Sequence, residues 1–238
     1  MAKYQFQTEV NQLLKLIIHS LYSNKDIFLR EIISNGSDAL DKLKYLTVSD
    51  DAYKGIKFEP RLDIMFDEKA GTLTVQDSGI GMNEEDLTNN LGTIARSGTK
   101  AFMEKLTSEA AKDSALIGQF GVGFYSAFMV AEKVTVVTRK AGETAAVRWE
   151  STGDGSYTIE ECEKEGRGTN ITITLGKEFY GDEAEENFLD TWNLQNLVKK
   201  YSDYVRYPIK MNIETQETPR DDEGKPIEGA EPITKVEL

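Results

Sequence analysis

The spacing of apolar residues predicts helices and strands in an irregular order along the chain. Tyr4 and Phe6 alternate with polar residues as in a short strand, and apolar residues then recur at helical spacing over residues 10–21. A second helix is predicted over about residues 26–46, because isoleucines and leucines cover most of its surface. Two alternating strands follow around a turn near Gly71.

The rest of the chain continues with separate runs of helices and strands. Helical patterns occur at residues 84–91, 100–106, 125–131 and 192–204. The strand candidates are KVTVVTRK, AAVRWEST, SYTIEEC, TNITITL and YPIKMNIET. Because the elements do not alternate strictly, we expect an α+β fold. The predicted form is a two-layer sandwich, with a twisted, mixed and mostly antiparallel sheet covered on one face by helices.

The pattern also predicts where the folded domain ends. Residues 1–215 are predicted to form one domain. The segment 216–238 begins QETPRDDEGKPIEGAEP, contains three of the five prolines and shows no periodic apolar pattern. We therefore predict that it is an acidic linker containing proline and glycine.

Charge and cysteine content narrow the range of partners. The net charge of −13 argues against nucleic acid or an anionic membrane surface as a partner, since both favour clustered Lys and Arg. Cys162 is the single cysteine, which excludes an internal disulfide framework and fits a reducing compartment. The N-terminal run LLKLII is far shorter than a membrane span of roughly 20 residues. We expect a cytoplasmic location, because no targeting segment is evident.

A glycine-rich stretch, GQFGVGF at residues 118–124, precedes a predicted helix. Gly118, Gly121 and Gly123 do not have the spacing of the common dinucleotide or Walker loops. Closely spaced glycines let backbone N–H groups approach a phosphate, and a helix N-terminus adds a favourable field. A tightly packed turn is the alternative explanation.

The second motif, QDSGIGM at residues 76–82, follows a predicted strand. Asp77 at the strand end could accept a hydrogen bond from an exocyclic amine such as adenine N6, whereas guanine presents a carbonyl there. Gly81 would leave room for a flat base, and Met82 would pack on it. Taken singly, the motif is equally consistent with an ordinary Asp-Gly turn.

The third motif lies in the predicted helix over residues 26–46, in the stretch EIISNGSD. Spacings of four and three residues place Glu31, Asn35 and Asp38 on one helix face. Asn35 could supply the one protein oxygen that Mg²⁺ needs when phosphates provide other ligands. Glu31 could act as a general base towards water. The alternative is that Glu31 pairs with Arg30 or a lysine on an exposed face.

Together these motifs resemble the ATPase superfamily that includes gyrase, heat-shock protein 90, histidine kinases and mismatch-repair ATPases. The pattern is E-x-x-x-N, D-x-G-x-G and G-x-x-G-x-G, followed by Gly168-Thr169. FLREIISNGSDALDKL, DSGIGM, NNLGTIARSGTKAF and IGQFGVGFYSAF are similar to the N-terminal ATP-binding domain of bacterial heat-shock protein 90 chaperones of the high-temperature protein G type. The resemblance covers residues 4–215.

The resemblance implies roles for individual residues. Glu31 would be the catalytic base, Asn35 the Mg²⁺ and phosphate ligand, and Asp77 the adenine-N6 acceptor, supported through water by Thr169. The backbone from Gly118 to Gly123 would hold the γ-phosphate.

The resemblance also implies a lid over about residues 84–117. Asn90 would contact the nucleotide near the ribose and α-phosphate, Arg96 would lie near the phosphates, and Phe124 would line the pocket. The family usually has alanine where this chain has Gly36, and a glycine inside a helix costs about 0.8–1.0 kcal/mol relative to alanine.

The implied function is ATP binding and slow, Mg-dependent ATP hydrolysis that drives a chaperone cycle in protein folding and the stress response. Partners would be ATP, ADP, Mg²⁺ and unfolded or partly folded client proteins. The full-length protein would be a homodimer and this chain a monomer, weakly active because the family's arginine comes from a middle domain. A histidine-kinase-type domain is one alternative, although Glu31 and the placement of His19 on an apolar helix argue against it. A non-catalytic nucleotide-sensing module is the other.

Overall fold

The computed structural model describes residues 12, 14, 16, 24–94, 96–103, 121–217 and 233–237. Gln12, Leu14 and Leu16 are helical, and Leu14 is buried in the core. The predicted first strand at Tyr4 and Phe6 lies outside the described residues.

Four α-helices and two 3₁₀ helices lie in the continuous stretches. The α-helices are α1 (Ile27–Ser49), α2 (Glu84–Asn90), α3 (Gly98–Met103) and α4 (Thr191–Tyr201). The 3₁₀ helices span Gly123–Met129 and Lys177–Phe179.

In the part of the chain that the structure describes, nine strands form two sheets. The strands are β1 (Leu62–Asp67), β2 (Thr72–Asp77), β3 (Ala131–Arg139), β4 (Ala146–Ser151), β5 (Thr158–Cys162), β6 (Gly168–Leu175), β7 (Ile209–Met211), β8 (Ile213–Glu217) and β9 (Ile233–Glu237). Seven of them form the main sheet in the order β5-β4-β3-β6-β2-β1-β7. All pairs are antiparallel except β1 and β7, which are parallel. The prediction of a mixed, mostly antiparallel α+β sandwich is therefore confirmed.

One face of the sheet is buried and carries the core. Buried and partly exposed residues alternate along β2, β3 and β6, as expected when helices cover one face only. Paired residues across these strands form apolar rows, for example Leu73, Ile173 and Val134. Helix α1 packs on this face, and Phe28 and Ile33 in it are fully buried.

The helix predicted over residues 125–131 is a 3₁₀ helix that begins earlier, at Gly123, and ends at Met129. Tyr125 N–H donates to the carbonyl of Val122, and Val130 N–H to that of Ala127, the i to i+3 pattern of a tight 3₁₀ turn. The chain then enters β3 at Ala131, so the segment forms one tight connection between the glycine turn and the sheet.

The segment YPIKMNIET, predicted as one strand, is divided at Asn212. Residues 209–211 join the main sheet, whereas 213–217 pair with 233–237 in a separate two-stranded antiparallel sheet. The predicted linker over residues 216–238 thus contains strand residues at both ends. Ile233, Thr234 and Val236 are β-branched and favour extended structure, even without a longer periodic pattern. Among the helices that the structure describes, none has the length and apolar character needed to cross a membrane.

Candidate functional site

A row of polar side chains ends the buried face of the sheet. Asp77, Thr169 and Thr138 occupy paired positions on β2, β6 and β3, one step beyond the apolar row Val75, Ile171 and Val136. All three polar residues are at least 95% buried. We call Asp77, Thr169 and Thr138 the polar row. It arises because every second residue of a strand faces the same side, so the strand sequences place these groups beside the core.

Asp77 is an ionisable group in an apolar setting. Its Oδ1 accepts a hydrogen bond of 2.8 Å from the backbone N–H of Gly79. Burial raises the pKa of Asp77 to about 7, although the backbone N–H groups of Gly79 and Thr169 stabilise the charged form. A hydrogen-bond donor that entered the site would therefore favour the ionised form of Asp77.

The loop after Asp77 packs closely on helix α1. A Cβ at Gly79 would lie 2.7 Å from the backbone carbon of Ala39, so only glycine fits without displacement. Ile80 N–H donates to the carbonyl of Ala39 at 3.2 Å. These contacts fix the strand end that carries Asp77 against the helix that carries Asn35.

Gly81 is constrained by protein backbone. Its φ is 66°, and a Cβ there would lie 2.0 Å from the carbonyl oxygen of Arg139. The sequence suggested that Gly81 makes room for a base, and the structure adds this close backbone approach to β3. The neighbouring Met82 is partly buried against the core.

Thr138 is a site residue that the sequence analysis missed. Its Oγ1 accepts a hydrogen bond from Met82 N–H at 2.9 Å. The same oxygen lies 3.2 Å from the carbonyl of Gly168, to which it can donate, and 3.0 Å from Thr169 Oγ1. Thr138 thus joins the D-x-G-x-G loop to the Gly-Thr pair. Val134, Val136 and Thr138 recur at every second residue, and this period of two could have placed Thr138 on the buried face.

Two lysines near the polar row were also missed. Burial lowers the pKa of Lys42, and the carboxylates of Asp38, Asp77 and Asp86 oppose this shift. Burial also lowers the pKa of Lys164, whose Nζ donates to Asn170 at 2.9 Å and whose charge interacts with Asp77. The buried carboxylate therefore has two cations in its surroundings, which a linear motif does not reveal.

On α1, Glu31, Asn35 and Ala39 form a partly exposed stripe among buried neighbours. Asp38, predicted to share this face, is 2% exposed and accepts a hydrogen bond from Thr99 at 3.1 Å. The described residues contain no group of three or more His, Cys, Asp or Glu that could hold a metal ion. Mg²⁺ bound to phosphates does not need such a group, and the amide oxygen of Asn35 fits the single neutral ligand that it would require.

Glu31 makes two contacts that point in different directions. Its Oε1 accepts hydrogen bonds from Arg30, including one from Nε at 3.1 Å, as in the alternative considered from the sequence. Its Oε2 faces Gly123, because a Cβ there would lie 2.2 Å from this atom. The Glu31 side chain is 19% exposed. The helix thus places the carboxylate directly against the glycine turn.

The segment after α2 meets the same turn through its backbone. Gly121, with φ of 67°, would place a Cβ 2.4 Å from the carbonyl of Arg96. The Arg96 side chain is exposed and donates to Asn89 at 2.8 Å. Asn90 is partly exposed, and its Oδ1 would lie 2.7 Å from a Cβ at Gly98.

The remaining predicted residues lie at the border of the core or outside the described chain. Phe124 is 6% exposed and packs edge-to-face on Trp149 at 5.5 Å between ring centroids. Gly118 and the lid residues 104–117 lie outside the described residues. The structure therefore brings together Glu31 with Gly123, and Asp77 with Thr169.

Comparison with known proteins gives a consistent family. The model of the family described as histidine kinase-, DNA gyrase B-, and HSP90-like ATPase matches residues 22–171. A protein of Treponema denticola named chaperone protein HtpG is 55% identical over 236 residues, which cover 94% of this chain and 36% of that relative.

Two further relatives with the same name show similar values. The Wolinella succinogenes protein is 56% identical over 225 residues, covering 94% of this chain and 35% of its own length. The Geobacter sulfurreducens protein is 53% identical over 236 residues, covering 98% of this chain and 35% of its own length. The chain thus spans about a third of the length of the curated relatives that it matches.

Proposed function

Because the chain belongs to the histidine kinase-, DNA gyrase B- and HSP90-like ATPase family, we propose that it binds ATP and ADP at the polar row and hydrolyses ATP slowly. The observation that carries this proposal is Asp77, a buried carboxylate held at the end of the core face beside Thr169. A buried carboxylate is costly unless a donor compensates it, and the exocyclic amine of adenine is such a donor. The amine would bind the ionised form of Asp77.

Selectivity for adenine over guanine follows from the same group. Guanine presents a carbonyl oxygen where adenine presents its amine, so Asp77 would face an acceptor. A ligand that leaves a buried polar group of the site without a hydrogen-bond partner binds much more weakly than one that pairs with it. Thr169, whose hydroxyl lies 3.0 Å from that of Thr138, would support the base through water.

The phosphates would lie between α1 and the glycine turn. Asn35 would hold Mg²⁺ together with phosphate oxygens, and the bound ion would neutralise phosphate charge. The backbone at Gly121 and Gly123, with Gly118 from the same motif, would hold the terminal phosphate. Glu31 would orient or deprotonate the attacking water, because its Oε2 already faces Gly123.

Hydrolysis by this chain would be slow because Arg30 and Arg96, which lie beside Glu31 and the glycine turn, are already engaged. Arg30 is paired with Glu31, and the Arg96 side chain is exposed and bonded to Asn89. An arginine supplied from elsewhere contributes roughly 10³–10⁵ in rate in comparable phosphoryl transfers. We propose that the rest of a longer chaperone supplies it.

The names of the relatives support a wider role. We propose that the chain is the nucleotide-driven part of a homodimeric, cytoplasmic chaperone that acts on unfolded or partly folded client proteins, while residues 1–238 alone are monomeric. Asn90 and Arg96, in the predicted lid, would contact the nucleotide when this lid closes.

A non-catalytic nucleotide sensor is the second candidate, and the Arg30 pairing of Glu31 is the observation that favours it. An ion pair holds one carboxylate oxygen in place and reduces its availability as a base. The two candidates make the same prediction for binding and different predictions for turnover.

Calorimetry with ADP, ATP and GTP, each with and without Mg²⁺, tests binding. We expect ADP and ATP to bind and GTP to bind at least tenfold more weakly, since guanine presents a carbonyl oxygen where adenine presents its amine. Equal affinity for GTP and ATP would contradict the role of Asp77. Phosphate release from wild type and Glu31→Ala then separates the two candidates: an ATPase loses its residual turnover while it keeps ADP affinity, and a sensor shows none in either form.

A further inference from the structure

Helix α2 is short and depends on its neighbours for its position. It spans only Glu84–Asn90, and Leu87 is the residue of this helix that is buried. A helix of this length is marginal in water by itself, so the contacts at its two ends decide where its side chains lie. Asn90, which is proposed to contact the nucleotide near the ribose and α-phosphate, is its last residue.

The beginning of α2 is held by a cap and an ion pair. Asn83 and Asp86 form a reciprocal capping box, in which Asn83 Oδ1 accepts a hydrogen bond from Asp86 N–H at 3.0 Å. Lys140 Nζ pairs with the Asp86 carboxylate at 2.7 Å, and Asn83 Nδ2 donates to Glu143 at 3.1 Å. These contacts attach the first turn of α2 to the residues that follow β3.

The end of α2 is held by a tyrosine hydroxyl. Tyr125 Oη donates a hydrogen bond of 2.8 Å to the carbonyl of Leu91, the residue directly after Asn90. Carbonyl groups at the end of a helix lack partners within it, and a side-chain donor can satisfy them. Tyr125 is 4% exposed. Burial raises the pKa of Tyr125 to about 12, so its hydroxyl keeps the proton and remains a donor at neutral pH.

Tyr125 belongs to the same tight helix as the glycine turn. The 3₁₀ helix begins at Gly123, and Tyr125 N–H donates to the carbonyl of Val122 at 3.1 Å. The Tyr125 ring packs edge to face on Phe124, with 5.6 Å between the ring centroids. The hydroxyl of Tyr125 therefore links the turn proposed to hold the terminal phosphate to the end of α2.

From these contacts we propose that Tyr125 is a positioning residue for nucleotide binding, whose hydroxyl holds the carbonyl of Leu91 and thereby places Asn90 for its contact with the ribose and α-phosphate. This inference rests on the proposed binding of ATP and ADP. Tyr125 acts through the backbone of Leu91 and does not itself contact the nucleotide. Its effect is therefore confined to the part of the ligand that Asn90 reaches, and recognition of the base at the polar row does not depend on it.

The variant Tyr125→Phe tests this role, because it removes the hydroxyl and keeps the ring. Two ligands are compared in calorimetry: ADP, and adenine, which has neither ribose nor phosphate and is measured by its displacement of ADP. We expect ADP to bind about threefold to tenfold more weakly than to wild type, the loss of one hydrogen bond. The affinity for adenine should stay within about twofold of wild type, because the polar row is unchanged.

Asn90→Ala tests the route by which Tyr125 acts. This variant should lose at least as much ADP affinity as Tyr125→Phe does. If Tyr125 acts only by placing Asn90, the double variant should bind ADP within about twofold of Asn90→Ala alone. Losses that add in the double variant would show that the Tyr125 hydroxyl does not act through Asn90.

Tyr207→Phe is the matched control, because it removes a hydroxyl that also donates one hydrogen bond, here to Oδ1 of Asp41. Neither Tyr207 nor Asp41 is assigned to nucleotide binding. ADP and adenine should bind to Tyr207→Phe as they do to wild type. Its melting temperature should fall about as much as that of Tyr125→Phe, by about 2–4 °C, since each variant loses one hydrogen bond.

The outcomes separate this inference from the proposed function. Failure of the wild type to bind ADP would contradict the proposed function itself. If the wild type binds ADP and Tyr125→Phe binds it equally well, the positioning role is wrong and the proposed function stands. Equal losses for adenine and ADP would assign Tyr125 to the stability of the domain. Wild-type ADP affinity in Asn90→Ala would also overturn the inference, because Tyr125 would then have no group to position.

Discussion

The two ends of the candidate site are built differently. The proposed base end consists of the polar row, whose side chains are fixed by the pairing of three neighbouring strands. The phosphate end consists of a helix and a glycine turn, and its contacts are close approaches at Gly121 and Gly123. The polar row is part of the sheet, whereas the geometry of the phosphate end depends on how α1 packs against the glycine turn.

The two ends would therefore serve different steps, base recognition at the polar row and ATP hydrolysis at the glycine turn. Asp77, Thr169 and Thr138 are buried and held by hydrogen bonds within the domain, so the proposed base recognition would need nothing from outside. At the proposed phosphate end, Arg30 is paired with Oε1 of Glu31, the side chain of Arg96 is bonded to Asn89, and Oε2 of Glu31 faces the turn. We therefore expect this chain to bind nucleotide well and to depend on other parts of a longer protein for turnover.

The largest effect is expected from Asp77→Asn, which breaks the base end alone. Loss of a charged acceptor costs about 1.5–3 kcal/mol, or about 10- to 150-fold in affinity for ADP. The fold should persist, because an amide is easier to bury than a carboxylate. Calorimetry with ADP measures the loss.

The matched control is Asp63→Asn on β1, a partly exposed aspartate paired with Arg61 at 2.8 Å. We expect wild-type ADP affinity in this variant. If Asp77→Asn is folded and binds ADP as tightly as the control, Asp77 does not contact the base.

The next effect concerns the phosphate end. Gly123→Ala would place a Cβ 2.2 Å from Oε2 of Glu31, so the carboxylate must move while the rest of the fold adapts. Because misplacement of a catalytic group by about 1 Å reduces rates strongly, we expect turnover to fall about tenfold or more. ADP affinity should change much less. Phosphate release under single-turnover conditions and calorimetry separate these quantities.

Gly55→Ala is the control for an added methyl group, since no atom lies within 4 Å of a Cβ at that position. Its turnover should equal that of wild type. Unchanged turnover in Gly123→Ala would show that the position of Glu31 does not limit the reaction.

A pH change is expected to act on the base end with a smaller effect. The adenine amine favours the ionised form of Asp77, whose pKa is raised to about 7 by burial. ADP affinity should therefore rise about tenfold between pH 6 and pH 8 and level off above this range. Calorimetry in buffers of different ionisation enthalpy should show proton release below pH 8.

The stability of the free protein should have the opposite pH dependence. Between the ordinary pKa of 3.8 and about 7, the folded state keeps a proton on Asp77 that the unfolded state has lost. This contribution to the free energy of unfolding is present at low pH and disappears as pH rises through 7. Asp77→Asn should lack it, and a difference in unfolding free energy between the two proteins that does not vary with pH would contradict the assignment.

The smallest effect is expected from Gly36→Ala, which tests the helix between the two ends. Glycine-to-alanine exchange in a helix normally stabilises by about 0.4–1 kcal/mol. Here the Cβ would lie 2.5 Å from Cδ2 of Leu62, which is fully buried, and overpacking costs about 1–3 kcal/mol. We expect a net loss of about 1 kcal/mol, or a melting temperature lower by about 2–4 °C.

A double variant checks the cause. Leu62→Val shortens the side chain that meets the new methyl group, so Gly36→Ala should destabilise the Leu62→Val protein less than the wild type. A higher melting temperature in Gly36→Ala would show that Leu62 adapts without cost, and that helix propensity decides.

The main helices and strands could be predicted from the sequence wherever apolar residues recur with a single clear period. The alternation in TLTVQD and TNITITL predicted β2 and β6, and it correctly placed Asp77 at a strand end. Thr138 could not be assigned to the site in this way, because a single strand contains no information about its neighbours in the sheet. Only the pairing of β3 with β6 brings its hydroxyl to Thr169.

Asp38 shows a second limit of sequence reasoning. Each residue of a helix is rotated by about 100° from the one before it. Viewed along the helix axis, Asn35 therefore lies to one side of Glu31 and Asp38 to the other. Thr99 in α3 covers the side of Asp38, while Gly79 approaches the side of Ala39. The periodicity of one helix gives the angle of each side chain but not which neighbour covers it.

Because the polar row continues the apolar rows, the proposed base recognition would depend on the number of residues along β2. Deleting one residue between Leu73 and Asp77 would retain every functional group and turn the carboxylate to the other face of the sheet. Deleting two would return it to the core face, one row closer to the centre. We expect both deletions to abolish ADP binding in calorimetry, so the length of β2 is as specific a requirement as the carboxylate itself.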